Sequence, residues 1–484
     1  MDTYFKTNFN KDLLSSIVVF LVALPLCMGI AIASGVPPVL GLISGIVGGV
    51  VVGSFSGSPL QVSGPAAGLA VMVFEAINKF GVEVLIPLGI FVGIFQFSIY
   101  VFRLADYFKA ITPSLVKGLL SGIGVLILIS QLYVAVDGKP IGNGLQNIMG
   151  LTGLFSGLFS GESGNLSAFI VAMGALVSIP VWQKVGGKLS KIIPGPLFAV
   201  FFATFLGVAF SLKIKFISIP TNILSELNFI SKDSFNLISP GFLATALAMA
   251  IVATAETLLS VKAVDQMTGS TSDYNKEIRA QGLGNFIAGI FGALPITGVI
   301  VRSSANVESG AKTRGSAIIH GFWLIIIVFI FGDILKNVPN STLAGILIFT
   351  GLKLLDIKSI PALIQKSKTE AVVYFITMGL VVCVNLLTGV LVGFVCSLFL
   401  IAKKPSRLGL ETVETSTDKV EFKLSDQASF VSIPKISKAL GRLKKGSITI
   451  DLKSLTYIDW AVEEQINSWK KTQEQRGLSI TLNK

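Results

Sequence analysis

The chain has 484 residues, of which 52% are hydrophobic and only 14% charged, against about a quarter charged in ordinary soluble domains. Such a composition excludes a water-soluble globular enzyme, and the apolar residues come in long runs, so the chain reads as a polytopic α-helical membrane protein. A net charge of +12 raises the question of nucleic acid, which the placement of the basic residues answers below.

Met1 to Asp12 are polar and lack a compact basic region with a cleavage site, so the first apolar run reads as a retained helix. Candidate spans then follow near 13–33, 39–56, 65–79, 84–102, 113–136, 166–183 and 194–212. A second set lies near 241–261, 279–293, 299–310, 315–335, 341–352, 371–384 and 386–402. This is seven plus seven, a first repeat over about 11–212 and a second over about 241–402. An odd number of spans per half inverts the second half in the bilayer.

With the N-terminus inside, fifteen lysines and arginines fall in inward loops, Lys109, Lys188 and Lys358 among them, and six, including Lys232, fall in outward loops. That asymmetry is the positive-inside pattern of an inner-membrane protein with both termini cytoplasmic. Most of the remaining positive charge follows residue 402, so nucleic acid is not needed to explain it. Cys27, Cys383, Cys396 and the single histidine, His320, lie in apolar segments without metal-ligand spacing. No nucleophile–base pair or phosphate-binding loop points to an enzyme.

The third and tenth spans are short, and each follows a stretch that suits neither helix nor loop: Gly57-Ser58-Pro59-Leu60-Gln61-Val62-Ser63-Gly64-Pro65 and Gly292-Ala293-Leu294-Pro295-Ile296-Thr297-Gly298. Broken segments at matching places in two halves point to an inverted-repeat transporter site. Two half-helices starting near the midplane would offer free N–H groups and positive dipole ends to an anion.

Few charges fall inside the spans. Glu256 lies well within the eighth, with Ser260 one turn later, and Arg302 opens the tenth. The arginine suits an anion, while the carboxylate could hold a proton or sodium ion; a purely structural Glu256–Arg302 ion pair is the alternative. Glu75 and Arg103 lie near span ends, where they can snorkel, and His320 reads as a helix-contact residue. Asp265, Asp273 and Glu277 read as a solvated inner loop.

The run Val62-Ser63-Gly64-Pro65-Ala66-Ala67 and the later Leu294-Pro295-Ile296-Thr297-Gly298-Val299-Ile300-Val301-Arg302-Ser303-Ser304-Ala305-Asn306-Val307 together resemble motifs of the SulP anion transporters, bacterial relatives of solute carrier family 26. The resemblance implies a fourteen-span core of seven-plus-seven inverted repeats, as in uracil-type carriers, with half-helices at spans 3 and 10 and the anion between spans 1, 3, 8 and 10. By position, the pocket is formed by Ser63, Gly64, Pro65, Ala66 and Ala67 and by Val301, Arg302 and Ser303, closed by Pro25 to Ile30, with Leu26 and Ile30 on its wall. Cation coupling falls to Glu256 and Ser260, a possible sodium pair, with Thr297 and Gly298 beside them. Many relatives carry a glutamine after the first-span proline and an aromatic four residues later; here Leu26 and Ile30 leave an apolar wall. That version resembles members associated with carbonic anhydrases and implies bicarbonate transport by sodium or proton symport. A sulfate transporter, a dicarboxylate carrier or an anion exchanger are the alternatives, with no cofactor beyond a coupling sodium ion, and a homodimer in the bilayer.

Beyond residue 402 the composition changes, and Lys403 to Arg407 open an 82-residue polar segment. Strands are expected at Val420–Lys423, Phe430–Ile433, Ile448–Leu452 and Leu478–Leu482, with helices near 434–444 and 461–475. This alternation over 403–484 resembles a short cytoplasmic STAS domain. Asp459 is followed by Trp460 and Ala461 where phosphorylated relatives carry serine or threonine, so phosphoswitching there is not expected.

Overall fold

The structure, a computed structural model, describes residues 2–105, 112–160, 165–187, 189–191, 193–217, 236–330, 335–355, 357, 360–402, 408–416, 419–443 and 447–483. Lys109, Lys188, Lys232, Lys358 and the 403–407 segment lie outside the described residues.

Each of the fourteen expected segments coincides with a helix. In the first half these are α1 (Asp2–Ala33), α2 (Pro38–Val47), α3 (Ala67–Phe80), α4 (Leu85–Val101), α5 (Pro113–Ala135), α7 (Leu166–Val185) and α8 (Gly195–Ala209). A π-turn over Gly48–Val52 and a last turn, Gly53–Phe55, prolong α2. In the second half they are α9 (Pro240–Thr268), α10 (Tyr274–Ile290), α11 (Ile300–Glu308), α12 (Gly315–Ile330), α13 (Asn340–Leu354), α15 (Lys368–Cys383) and α16 (Leu386–Ala402). Two helices, α6 (Gly144–Ser160) and α14 (Ile360–Lys366), were not expected. Among the described residues, six segments are long and apolar enough to cross a membrane by length and composition.

Helix starts follow ordinary capping chemistry. Proline in the first turn opens α2, α5, α8 and α9, where its missing N–H costs nothing. Asn165, Ser239, Asp273 and Ser367 accept backbone N–H groups at the starts of α7, α9, α10 and α15. Pro25 lies within α1, which continues through it.

The two breaks meet. Ser63–Pro65 (β1) and Ile296–Gly298 (β2) pair antiparallel, with Ser63 opposite Gly298, Gly64 opposite Thr297 and Pro65 opposite Ile296. From this two-stranded crossing α3 and α11 lead away as half-helices of 14 and 9 residues. At 1.5 Å per residue these are about 21 and 14 Å long, too short to cross about 30 Å of hydrocarbon alone. The largest core cluster packs α1, α2, α3 and α9 together, through Leu26, Ile30, Leu40, Leu69, Phe242 and Met249 among others.

The polar tail is a five-stranded sheet with its own core. Its strands are β3 (Leu408–Ser416), β4 (Lys419–Ala428), β5 (Ser447–Asp451), β6 (Leu455–Ile458) and β7 (Ser479–Asn483), joined by α17 (Ile433–Leu440) and α18 (Trp460–Glu474). β3 runs antiparallel to β4, while β5 and β6 run parallel to β4 and β7 parallel to β5. The strand expected at Phe430–Ile433 is absent: Phe430–Ser432 forms one 3-10 turn running into α17, whose first turn carries Pro434. Proline presets a helical φ there, so the apolar run folds as a helix start. β3 and β6 were not expected.

The tail docks on the ends of the apolar helices. Gln266 Nε2 donates to Ser468 Oγ at 2.8 Å, and Arg476 Nε donates to the Gly269 carbonyl at 2.5 Å. Trp460 packs against the cluster of Leu363, Ala371 and Tyr374.

Candidate functional site

Neither half-helix has a side-chain cap. Ala66 precedes α3 and Val299 precedes α11, both in extended conformation and neither able to accept a hydrogen bond through its side chain. The Leu69 N–H turns back to the Ala66 carbonyl at 3.1 Å, and the other first-turn N–H groups of both helices have no acceptor among the described residues, at the positive ends of two dipoles. The β1–β2 pairing brings these two ends together.

Arg302 lies behind this junction, with none of its surface exposed. Its Nη2 donates to the Pro65 carbonyl at 3.2 Å, so an arginine of the second repeat reaches the backbone that opens α3. Nε and Nη1 have no hydrogen-bond partner among the described residues. Each buried donor left unpaired costs about 1–3 kcal/mol, and a buried guanidinium without a counter-ion is a strong source of positive potential. A Cβ on Gly64 would collide with Nη1, so the end of the guanidinium sits against a backbone that only glycine leaves open.

Glu256 sits on α9 and is only partly buried. Thr297 Oγ1 approaches its Oε2 at 3.5 Å, and a Cβ on Gly68 would collide with Oε1. Among the described residues Glu256 and Arg302 form no salt bridge. The alternative of a structural ion pair is therefore overturned: Glu256 is met by Thr297 Oγ1 and Arg302 by the Pro65 carbonyl.

The remaining expected site residues fall into two groups. Ala67 and Val301 are partly accessible at the starts of the half-helices, while Ser63, Gly64, Pro65, Ala66, Thr297, Gly298 and Ser303 are buried in the crossing. Ser63 Oγ accepts from Gln281 Nε2 at 2.7 Å, and Ser303 Oγ accepts from Val62 N at 3.0 Å while donating to the Val299 carbonyl at 2.8 Å. Both hydroxyls are thus engaged in holding the crossing. Ser260 Oγ lies 3.4 Å from Ser303 Oγ and faces that junction, whereas Thr297 is the hydroxyl that reaches Glu256. Gly298 N donates to Thr257 Oγ1 at 3.0 Å, a tie between β2 and α9 that the sequence reading missed.

A cavity of about 1280 Å³ leads to this place from the side on which the tail docks. Leu26, Ile300, Val301 and Ala305 line one part of it; Lys117, Lys262 and Lys353, with Glu464 of the tail, line another. Of the expected wall on α1, Leu26 faces the cavity, while Pro25 and Ile30 are buried and do not line it. His320 is fully buried, with Nδ1 2.9 Å from the Ala317 carbonyl and Nε2 unpartnered among the described residues. Among the described residues no group of three or more His, Cys, Asp or Glu side chains could hold a metal ion.

Glu277 corrects the sequence reading most sharply. It was expected at a solvated surface but is completely buried, accepting from Ser56 Oγ at 2.7 Å and from the N–H groups of Gly57 and Ser58 at 2.8 and 3.1 Å. The residues just before β1 fold onto it, and its charge is met by this ring of donors rather than by water.

Comparison with known proteins agrees with this architecture. The sequence profile of the sulfate permease family matches residues 9–377. YvdB of Bacillus subtilis (strain 168) is 29% identical over 82% of this chain and 74% of its own length. The bicarbonate transporter BicA of Picosynechococcus sp. is 24% identical over 85% of this chain and 73% of its own length. In fold, the chain is similar to the transmembrane domain of a cyanobacterial BicA, with TM-score 0.70 at 23% identity, covering 79% of this chain and 97% of that one. It is similar also to SLC26A9, with TM-score 0.72 at 16% identity, covering 99% of this chain and 84% of that one. Two uncapped half-helices crossing in front of a buried arginine are thus carried on a shared scaffold, and the chain belongs to the sulfate permease family of membrane anion transporters.

Proposed function

We propose that the protein is a secondary active transporter of a small inorganic anion, bicarbonate ahead of sulfate, driven by symport of sodium or protons. The observation that carries this reading is the pair of uncapped helix N-termini backed by Arg302, whose Nε and Nη1 lack partners among the described residues. A compact anion at the starts of α3 and α11 would accept the free N–H groups and lie in the field of the guanidinium. The apolar wall at Leu26 offers no further donors of the kind a larger, doubly charged oxyanion would need, and the likeness to BicA supports the same choice. Sulfate is the second reading, favoured by the family's own description.

Glu256 supplies the coupling charge. Its carboxylate has Thr297 Oγ1 nearby and no salt bridge among the described residues, which suits an exchangeable proton or a sodium ion held by the carboxylate, the hydroxyl and adjacent strand carbonyls. Either cation would offset the cost of the charge at membrane depth and tie its movement to that of the anion. With the lysine-rich ends inside, the cavity faces the cytoplasm, and alternating access moves the half-helix bundle past the remaining helices. Uptake of labelled bicarbonate and labelled sulfate into proteoliposomes under imposed sodium or proton gradients tests the reading. Gradient-driven bicarbonate uptake, weakly competed by sulfate, supports it; accumulation of neither anion under either gradient refutes it.

A further inference from the structure

Helix α10 carries Glu277, Gln281 and Asn285 at four-residue intervals, hence on one face. All three are fully buried. Each holds a different part of the crossing: Glu277 the residues before β1, Gln281 the Ser63 hydroxyl of β1, and Asn285 the backbone of β2. The contact of Asn285 is two-sided. Its Oδ1 accepts the Ile296 N–H at 2.6 Å and its Nδ2 donates to the Ile296 carbonyl at 2.9 Å, the pattern a neighbouring strand would offer. Nδ2 also donates to Gln96 Oε1 at 2.8 Å, and Gln96 Nε2 reaches Thr254 Oγ1 at 3.4 Å, two residues before Glu256.

We propose that Asn285 is a positioning residue for the anion site, its carboxamide standing in for a third strand beside β2 and thereby fixing where the two half-helix N-termini meet. This rests on the transport reading given above. Among the described residues β2 has only β1 as a strand neighbour, and a two-stranded pair alone holds its register weakly. Asn285 supplies the missing edge to β2, while Gln281 holds β1 through the Ser63 hydroxyl and Glu277 holds the backbone before it, so the helix and the crossing behave as one rigid unit. Through Gln96 the same amide is linked to α9, which carries the coupling carboxylate. A slip at β2 would separate the two sets of free N–H groups, weakening anion capture more than it slows the conformational cycle.

The test uses the full chain in proteoliposomes, with labelled bicarbonate and labelled sulfate as probes. Asn285→Asp keeps the acceptor for Ile296 N–H and loses both donated bonds. The KM for whichever anion the wild type carries should rise at least tenfold while Vmax falls less than twofold. A purely structural role predicts the reverse, a Vmax that falls with the folded fraction at unchanged KM, and that result overturns the proposal. Should Asn285→Asp fail to assemble, Gln96→Met, which removes the acceptor of the second Nδ2 bond together with the bond to Thr254, is compared with Thr254→Val, which removes the latter alone: a KM at least threefold higher in Gln96→Met than in Thr254→Val supports the proposal and equal KM values overturn it. Wild-type uptake of neither anion would defeat the transport reading alone. Amide exchange then decides for Asn285: in Asn285→Leu, exchange at Ile296–Gly298 should rise at least tenfold with α12 unchanged, and equal exchange at β2 and α12 overturns the proposal.

Discussion

Arg302 donates to the carbonyl oxygen of Pro65 across 237 residues of sequence, so the buried guanidinium of one repeat braces the backbone that opens the half-helix of the other. The same side chain leaves two donors without partners among the described residues. It therefore does two things at once: it holds α3 in place and sets a positive potential where two helix N-termini converge.

Gly64 controls the position of that guanidinium. In Gly64→Ala the new Cβ occupies the place of Nη1, and Arg302 must swing away from Pro65. Losing a hydrogen bond to a charged group costs about 1.5–3 kcal/mol, or roughly ten- to a hundredfold in affinity. The KM for the anion should rise by that order in initial-rate uptake, with protein abundance little changed.

Gly68 stands in the same relation to Glu256. Both Gly68→Ala, which displaces the carboxylate, and Glu256→Gln, which neutralises it, should remove gradient-driven accumulation. Anion counterflow with no cation gradient should persist in Glu256→Gln, because the half-helix N-termini are untouched. Undiminished cation dependence in Glu256→Gln would place the coupling elsewhere.

Asp12 links the start of the chain to the second repeat. It accepts from the N–H groups of Lys312 and Thr313, at 2.7 and 3.1 Å, and from the Thr313 hydroxyl, and it is nearly buried. Asp12→Ala leaves these donors unpaired at the approach to α12 and should destabilise the folded protein by about 1–3 kcal/mol. A lower melting temperature in detergent checks this.

The tail meets the end of α9 through Arg476 and through Ser468, which accepts from Gln266. In Arg476→Ala the bonds to the Gly269 carbonyl and to Thr271 Oγ1 are lost. Amide exchange over residues 266–272 should increase, while the KM for the anion stays within twofold of wild type.

The spans and the two broken segments were legible in the sequence because bilayer burial writes itself as long apolar runs, and the breaks as glycine and proline at matching places. Arg302 and Glu256 stood out because so few charges lie within those runs. The pairing of β1 with β2 was not legible, since three-residue strands carry no periodic signal. The polar face of α10 was missed for a related reason: glutamate, glutamine and asparagine at helical spacing look the same on a solvated helix as on one buried against polar backbone. Helix α6 contains Gly144, Gly150 and Gly153, which weaken a helical pattern, β3 is a largely polar strand of nine residues, and β6 is only four residues long. The docking of the tail beside the cavity depends on surfaces that no single segment reveals.

The central claim is that Arg302 supplies the positive charge by which the two half-helices capture an anion. Its most direct measurement is the initial rate of labelled bicarbonate and sulfate uptake by Arg302→Ala in proteoliposomes, beside wild type at matched reconstitution. The account predicts at least a tenfold loss of uptake at sub-saturating anion for the anion that wild type carries. Uptake by Arg302→Ala at the wild-type rate and KM would contradict it.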